Sequence, residues 1–318
     1  MSRPNPLQLG DLIMFVAPAG DLDEAKMMLA KSRLEKRGYR VKMRDDLFTQ
    51  EGYLAGSDER RADELMEAFL DPEVKAIFPG TGGYGTMRIL DLLDYKEIRK
   101  NPKIVIGFSD ITGLHLALNG KAGLITYHTP SPMWGLGGQE GLSPFTKRYF
   151  FELLEGSSAS VRRGYEIEIS EGVPVPVCLG RGRARGRLVG GNLSLLSALE
   201  GTPYSVPTKD AILLIEDTRE APYRIDRMLR QLLLAGKLQQ LRGAVLGQFT
   251  RNFSREDQST EDPRFSVDGV LRQYFEPLDI PVIMNFPLGH HPMNASLPLG
   301  GKVEVDADRC TLRVLGSV

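Results

Sequence analysis

The sequence predicts an α/β fold with a parallel sheet in its first half. Short apolar stretches, typical of buried strands, alternate there with segments of helical periodicity. Glycine, proline and N-capping residues mark the boundaries between them. Strands that alternate with helices pair in parallel through right-handed crossovers. Ligands of such sheets bind beyond the carboxyl ends of the strands, so catalytic residues are sought there.

Length and composition indicate a folded protein of two domains. The chain has 318 residues, of which 42% are apolar and 25% charged, and this excludes extensive disorder. A net charge of −1 argues against a nucleic-acid-binding protein, and no apolar run approaches the roughly 18 residues that span a bilayer. The apolar stretch Leu12–Val16 is short for a signal peptide. We therefore expect a cytoplasmic protein in which Cys178 and Cys310 are buried free thiols.

Each element of the first half has its own signal. Asp11–Pro18 is apolar and runs into a turn of small residues, which is typical of a first buried strand. Asp21–Arg37 has helical periodicity and is followed by a glycine, and Tyr39–Met43 alternates like a strand. Ser57 is a candidate N-cap for a helix over Asp58–Leu70. Apolar runs and periodicity then predict strand Val74–Phe78, helix Thr86–Leu93, strand Ile104–Phe108 and helix Ile111–Leu118.

The second half is less regular. Residues 156–183 contain the runs GSSAS, VPVPV and GRGR and are interpreted as an inter-domain passage. The predicted domains are therefore residues 1–155 and 184–318. Pro222 is placed to begin a helix, because proline is favoured at the first helical position. The other predicted elements are strand Arg185–Val189, a helix to about Leu199, strands Ala211–Ile215, Ala244–Phe249 and Val282–Met284, a polar loop Asn252–Arg264, and a closing hairpin of Lys302–Val305 and Thr311–Val314.

Ser109 is the first candidate for catalysis. It lies in Gly107-Phe108-Ser109-Asp110, between a predicted strand and a predicted helix. A serine on a sharp strand-to-helix turn presents its hydroxyl above the sheet edge, near N–H groups that can stabilise an oxyanion. Local sequence alone favours a simpler interpretation, in which Ser109 or Asp110 is only a helix N-cap.

A glycine-rich loop, Pro79–Gly85, follows the predicted strand Val74–Phe78. Its residues Gly80, Gly82 and Gly85 satisfy the dinucleotide-binding pattern G-x-G-x-x-G. That pattern normally follows the first strand of a sheet and needs a carboxylate at the end of the next strand, and neither condition is met. Exposed N–H groups in such a loop suit any anion, including an oxyanion.

Glu216 and the histidines are candidates for a catalytic pair. Glu216 directly follows the buried strand Ala211–Ile215, where a carboxylate can orient a histidine. Of the four histidines, His290 and His291 lie in a loop rich in glycine and proline, and both rank ahead of His128. Residue types alone do not choose between His290 and His291. The chain has no cluster with metal-ligand spacing, so no metal site is expected.

Taken together, these residues resemble the LD-carboxypeptidase family, the serine peptidases that include muramoyltetrapeptide carboxypeptidases and microcin C immunity proteins. No single segment is specific, whereas the joint order and spacing of the segments are highly specific. The matching segments are Asp11–Pro18, Pro79–Gly85, Gly107–Asp110, Gly190–Leu193 with Gly201–Pro203, Ile215–Thr218 with Pro222–Arg227, Gly289-His290 and Leu297–Gly300.

The resemblance implies a flavodoxin-like N-terminal domain with a parallel sheet and a smaller, β-rich C-terminal domain. Ser109 matches the family nucleophile, His290 the base and Glu216 the residue that orients it. Asp110 and a glycine of the pair Gly82-Gly83 match the backbone donors of the oxyanion hole. The resemblance also implies a site between the domains, a homodimer, and no metal or cofactor.

The implied reaction is hydrolysis of the L,D-peptide bond to the terminal D-alanine of murein tetrapeptides, in peptidoglycan recycling. An alternative within the family is hydrolysis of an acyl-sulfamoyl or acyl-phosphoramidate adenylate, as in microcin C immunity. A more remote alternative is a non-catalytic nucleotide-binding module that uses the Gly80–Gly85 loop. His128 and Trp134, the sole tryptophan, are candidate substrate-lining residues. Four alternating arginines could bind a carboxylate, although a solvated strand face is the preferred interpretation of Arg181, Arg183, Arg185 and Arg187.

Overall fold

The computed structural model describes residues 1–156, 163–251 and 262–316. The chain divides into two compact units, the first Met1–Val161 with Ala295–Gly300 and the second Arg162–Asn294 with Gly301–Val318. Each unit is built on one sheet, so the predicted α/β class is confirmed. The segment Ala295–Gly300 was placed in the second domain by the sequence, whereas the structure places it in the first unit.

The first unit contains a six-stranded sheet. Its strands are β1 (Leu12–Val16), β2 (Arg40–Lys42), β3 (Val74–Pro79), β4 (Ile104–Gly107), β5 (Thr126–His128) and, from late in the chain, β12 (Leu297–Leu299). They lie in the order β12-β5-β4-β3-β1-β2. All neighbours are parallel except β12, which is antiparallel to β5. The carboxyl ends of the parallel strands therefore share one edge of the sheet.

Helices cover both faces of this sheet, which explains why its strands β1 and β4 are continuously apolar. The helices are α1 (Glu24–Arg37), α2 (Asp58–Leu70), α3 (Tyr95–Lys100), α4 (Ile111–Ala117) and α5 (Pro144–Glu155). Successive side chains of a strand point to opposite faces. Accordingly Phe15 and Phe78 belong to one buried cluster and Met14 and Ile77 to the other.

The second unit contains an eight-stranded sheet. Its strands are β6 (Tyr165–Glu166), β7 (Val177–Leu179), β8 (Arg183–Asn192), β9 (Ala211–Thr218), β10 (Gly243–Thr250), β11 (Val282–Met284), β13 (Lys302–Asp306) and β14 (Thr311–Val314). The order is β6-β14-β13-β8-β9-β10-β11-β7, with β8 to β11 parallel and the outer pairs antiparallel. Within the described residues, this unit includes the helices α6 (Leu193–Ala198), α7 (Pro222–Leu234) and α8 (Val267–Phe275).

Several predicted features differ from the structure. The passage 156–183 contributes β6 and β7 to the second sheet, and the predicted helix Thr86–Leu93 is two short 3₁₀ turns. The prediction of a polar loop over Asn252–Arg264 falls largely on residues 252–261, outside the described residues. Across the described ranges, no helix is both long and apolar enough to cross a bilayer.

The free-thiol prediction for the two cysteines is wrong. Cys178 lies in edge strand β7 and Cys310 in the turn between β13 and β14, and the two form a disulfide with a Cα–Cα distance of 5.6 Å. That separation is typical of disulfides. The two cysteines are 132 positions apart in the sequence, so the sequence alone does not predict that they are close in space.

Candidate active site

Ser109 lies on the turn between β4 and α4, where the sequence predicts a nucleophile. It is partly exposed, and its φ of 60° places a non-glycine residue in the left-handed region. Such a conformation costs on the order of 1–3 kcal/mol and persists only where the surrounding structure imposes it, often at functional sites. The backbone N–H of Thr112 donates a 2.9 Å hydrogen bond to the Ser109 carbonyl and so begins α4. This strained strand-to-helix turn has the geometry of a nucleophile elbow.

The glycine loop Pro79–Gly85 packs directly against this serine. A Cβ on Gly82 would lie 2.9 Å from the Cβ of Ser109 and 3.1 Å from its Oγ. The Gly82 carbonyl accepts a 3.0 Å hydrogen bond from the backbone N–H of Gly20, which fixes the loop from its other side. The absence of a side chain at Gly82 therefore brings loop backbone beside the hydroxyl, as an oxyanion hole requires.

Asp110 ties the serine turn to the end of the glycine loop. Its carboxylate accepts a 2.8 Å hydrogen bond from the backbone N–H of Thr86, and the Thr86 hydroxyl donates to the Asp110 carbonyl at 2.7 Å. The side chain is buried, and this burial raises the pKa of the carboxyl group, although the bonds from Thr86 oppose the rise. The two loops that approach Ser109 are thus held as one structure.

Arg61 is a supporting residue that the sequence analysis missed. It is fully buried, and one guanidinium nitrogen donates to the carbonyls of Pro18 at 2.7 Å and Gly85 at 2.9 Å. A second nitrogen pairs with Asp58. Arginine suits this position because its fork of donors can bind several acceptors at once. The arrangement joins the end of β1 to the glycine loop.

Two buried histidines, His115 and His128, lie close to the turn that carries Ser109. Nε2 of His115 is 3.0 Å from the Gly107 carbonyl, which also accepts from the N–H of Thr129. Burial lowers the pKa of His115 to about 3, so the ring is neutral and its Nε2 carries the donated proton. His128 is fully buried with its ring at 6.2 Å from that of Phe108. Its assignment as a substrate-lining residue stays a prediction.

In the second unit, the structure pairs His290 with Glu216. The distance from His290 Nδ1 to Glu216 Oε2 is 2.6 Å, and Glu216 is fully buried whereas 21% of the His290 side chain is exposed. Because a carboxylate only accepts, the proton of the neutral ring lies on Nδ1, and Nε2 carries the lone pair. The neighbouring His291 accepts instead from the backbone N–H of Met293 at 3.1 Å. Of the two histidines that residue type left equal, His290 is therefore the one that contacts Glu216.

Gly289 allows this pair to form. Its φ is 96°, and a Cβ there would lie only 2.6 Å from Glu216 Oε2. The loop is held at this residue, because Asn294 donates a 2.7 Å hydrogen bond from Nδ2 to the Gly289 carbonyl. Gly289 therefore lets the loop bring the imidazole of His290 against the carboxylate of Glu216, near the end of β9.

Asp217 is a second buried carboxylate next to Glu216. It accepts hydrogen bonds from Asn192 Nδ2, from the N–H and hydroxyl of Ser194, and from the N–H of Thr218, at 2.7–2.9 Å. Burial, and next the charge of Glu216, raise the pKa of Asp217 to about 6. These bonds join the ends of β8 and β9 and so support the strand end that presents Glu216.

The remaining sequence candidates are Trp134 and the alternating arginines. Trp134 is exposed and donates a hydrogen bond to Thr81, the residue before Gly82. The arginines of the alternating run are exposed, in agreement with a solvated strand face for Arg181, Arg183, Arg185 and Arg187. In the described part of the chain, no group of three or more His, Cys, Asp or Glu residues could hold a metal ion.

Comparison with known proteins identifies the family. The LD-carboxypeptidase N-terminal domain matches residues 13–129, and the LD-carboxypeptidase C-terminal domain matches residues 185–305. A probable murein peptide carboxypeptidase of Bacillus subtilis (strain 168) is 38% identical over 307 residues, which cover 96% of this chain and 91% of that protein.

Solved structures give the same result. A muramoyltetrapeptide carboxypeptidase from Oxalobacter formigenes matches with a TM-score of 0.82 and 29% identity, over 96% of this chain and 99% of that chain. The microcin C7 self immunity protein MccF, in its wild-type apo state, matches with a TM-score of 0.88 and 26% identity, over 99% and 98% of the two chains. The chain therefore belongs to the LD-carboxypeptidase family of serine peptidases and is a serine-type carboxypeptidase.

Proposed function

We propose that this enzyme hydrolyses the L,D-peptide bond to the terminal D-alanine of murein tetrapeptides, in peptidoglycan recycling, through an acyl-enzyme on Ser109. The observation that carries the proposal is the strained Ser109 turn, with the Gly82 backbone packed against its hydroxyl. The relatives named as murein peptide and muramoyltetrapeptide carboxypeptidases support this choice of substrate.

In the proposed acylation step, Ser109 Oγ attacks the carbonyl carbon before D-alanine while His290 Nε2 takes the hydroxyl proton. The tetrahedral oxyanion is stabilised by the backbone N–H of Asp110 and by a backbone N–H of Gly82 or Gly83. One such donor contributes roughly 100–1000-fold in rate. His290 then returns the proton to the nitrogen of D-alanine, the C–N bond breaks, and the acyl group remains on Ser109.

In the proposed deacylation step, water attacks the acyl-enzyme and His290 acts again as the base. The Ser109 oxygen leaves, takes back a proton, and the tripeptide departs with a new carboxylate. Glu216 holds the Nδ1–H tautomer and stabilises the imidazolium that forms in each step. The buried hydrogen bond between Glu216 and His290 supports this role.

The test is release of the terminal alanine from paired tetrapeptides that differ only in the stereochemistry of that last residue. We expect release from the L,D-peptide and little from the L,L-peptide. Ser109→Ala is expected to abolish release without loss of the fold, as judged by circular dichroism. Full activity of the alanine variant would rule out an acyl-enzyme on Ser109.

A second candidate is hydrolysis of an acyl-sulfamoyl or acyl-phosphoramidate adenylate. The match to the MccF structure over almost the whole chain favours it. The two candidates share the nucleophile and differ in the leaving group. Release of the amino acid from an aminoacyl sulfamoyl adenosine, at a kcat/KM above that for tetrapeptide, would favour this candidate. Co-purification of a nucleotide without hydrolysis of either substrate would favour a binding module.

We also propose a homodimer and a cytoplasmic location, on the basis of the family resemblance. Light scattering should give twice the 35.3 kDa chain mass for a homodimer. Disulfides persist mainly in oxidising compartments, so the bond between Cys178 and Cys310 bears on the location. Cell fractionation tests the location: the protein should be recovered with a cytoplasmic marker, and recovery in an extracytoplasmic fraction would overturn the cytoplasmic proposal.

A further inference from the structure

Trp134 is an exposed indole held in place beside the loop that contacts the nucleophile. It is 58% exposed, yet its Nε1 donates a 2.9 Å hydrogen bond to the hydroxyl of Thr81. Thr81 directly precedes Gly82, which packs against Ser109. Lys26 lies over the indole with its Nζ 5.2 Å from the ring centroid. The ring is therefore fixed at one edge and at one face while much of its surface remains in solvent.

The segment that carries Trp134 is held as firmly as the ring. The backbone N–H of Met133 donates a 3.0 Å hydrogen bond to the Gly80 carbonyl, which joins the segment to the glycine loop. The guanidinium of Arg33 donates to three carbonyl oxygens within residues 136–139. Fixing an exposed apolar ring costs conformational entropy and leaves apolar surface in water. The free energy of folding gains little from this arrangement, whereas a pre-positioned aromatic ring suits ligand binding.

We propose that Trp134 is the platform for the sugar ring of a muramoyl peptide, and that the enzyme prefers tetrapeptides that still carry this sugar. The inference rests on the proposed function and adds to it the saccharide part of the substrate. The C–H groups on one face of a pyranose carry partial positive charge, and the face of an indole is negative. A sugar would stack on the face opposite Lys26.

Two adjacent residues, Thr81 and Gly82, connect Trp134 to Ser109. Three amino acids separate the muramoyl group from the bond to D-alanine, and an extended chain of three residues spans at most about 10 Å. The contact path from Ser109 to the indole is short, since it passes through Gly82 and the adjacent Thr81 to Nε1 of Trp134. A substrate with its scissile carbonyl at Ser109 can thus extend its sugar toward this ring.

The first test is direct binding, which does not depend on hydrolysis. Trp134 is the only tryptophan, so intrinsic tryptophan fluorescence reports on this position alone. Titration of Ser109→Ala protein with muramoyl tetrapeptide should give a saturable fluorescence change and a Kd about tenfold below that of the sugar-free tetrapeptide. Equal dissociation constants, or no fluorescence change, would overturn the proposal. A fluorescence change with AMP but none with muramoyl tetrapeptide would also overturn it, in favour of a nucleobase platform.

The second test separates sugar binding from a structural role. Trp134→Ala should raise KM for muramoyl tetrapeptide about tenfold with kcat unchanged, and should leave KM for the sugar-free tetrapeptide unchanged. Trp134→Phe retains a ring and should restore most of the preference. Phe265→Ala removes another exposed aromatic, which is 55% exposed, and should change neither KM. Equal losses on both substrates would show that Trp134 only shapes the site. If the wild type releases D-alanine from neither substrate, the proposed function fails, and the titration still decides the sugar inference.

Discussion

Nδ1 of His290 donates a 2.6 Å hydrogen bond to Oε2 of Glu216, whose side chain is fully buried. The carboxylate can only accept, so it fixes which ring nitrogen carries the proton. In the proposed mechanism the same carboxylate would also stabilise the imidazolium that forms during acyl transfer. Both effects depend on the negative charge of Glu216 as well as on its shape.

Glu216→Gln should therefore reduce kcat by about a thousandfold or more. Glutamine preserves the volume, but its amide can donate to Nδ1 and so favour the wrong tautomer, an effect of roughly 10⁴ in a known serine protease. D-alanine release measures the loss, and thermal unfolding confirms that the variant is folded. Glu304→Gln is the matched control, because Glu304 pairs with the exposed Arg185 on the same sheet. Activity of Glu216→Gln within tenfold of the wild type would contradict a catalytic Glu216.

Gly289→Ala should impair both stability and catalysis. The new Cβ would lie 2.6 Å from Glu216 Oε2 and would stand on a backbone with φ of 96°. The left-handed backbone alone costs about 1–2 kcal/mol, and the clash must also displace the carboxylate. Gly201→Ala isolates the first effect, since Gly201 has φ of 86° and no atom within 4 Å of its added Cβ. We expect Gly201→Ala to lose stability with normal kcat, and Gly289→Ala to lose both. Equal kcat for the two variants would contradict the steric argument.

The sequence predicted the candidate residues near the strand ends better than it predicted the residues that hold them in place. Glu216 lies near the carboxyl end of buried strand β9 and Ser109 on a strand-to-helix turn, and both signals are local. The choice of His290 over His291 depends on the path of a loop, and only the family resemblance supplied it before the structure did. Arg61 lies in a charged helical segment that suggests a solvated face, whereas its acceptors Pro18 and Gly85 are distant in sequence.

Helix α1 shows why periodicity alone can fail. Helical periodicity in Asp21–Arg37 puts Ala25, Met28, Leu29 and Leu34 broadly on one face, but Met28 and Leu29 are exposed, and the buried positions are Met27, Ala30 and Leu34. A continuous run of apolar residues fits more than one helical face, so the sheet decides which face is buried. The extent of the helix was predicted well because its end is set locally, by the αL conformation of Gly38.

Gly82→Ala should lower kcat/KM for tetrapeptide by about a hundredfold, because small displacements of reacting groups have effects of this size. The added Cβ would lie 2.9 Å from Ser109 Cβ and 3.0 Å from the backbone nitrogen of Asp110, so the serine or the loop must move. Gly120→Ala is the matched control in the same unit, since no atom lies within 4 Å of its added Cβ. Both proteins should fold, as judged by thermal unfolding. Unchanged kcat/KM in Gly82→Ala would show that the loop does not constrain the nucleophile.

The raised pKa of Asp217 predicts that the free energy of unfolding depends on pH. Burial and the adjacent Glu216 raise its pKa from 3.8 to about 6 in the folded protein. A raised folded-state pKa means that folding favours the protonated form. The resulting stability is fully present below the unfolded-state pKa and is lost as the pH rises through about 6. A shift of about two pKa units corresponds to about 3 kcal/mol.

Asp217→Asn removes this titration, so its free energy of unfolding relative to the wild type should improve by up to about 3 kcal/mol between about pH 4 and pH 7. Urea unfolding of both proteins across that range measures the difference. Asparagine retains one oxygen that can accept from Ser194 or Thr218, so the variant should fold. Asp210→Asn changes an exposed aspartate that precedes the same strand and should follow the wild type at every pH. If the difference in free energy of unfolding between Asp217→Asn and the wild type stayed constant with pH, Asp217 would remain ionised throughout, because its four hydrogen bonds would hold the carboxylate.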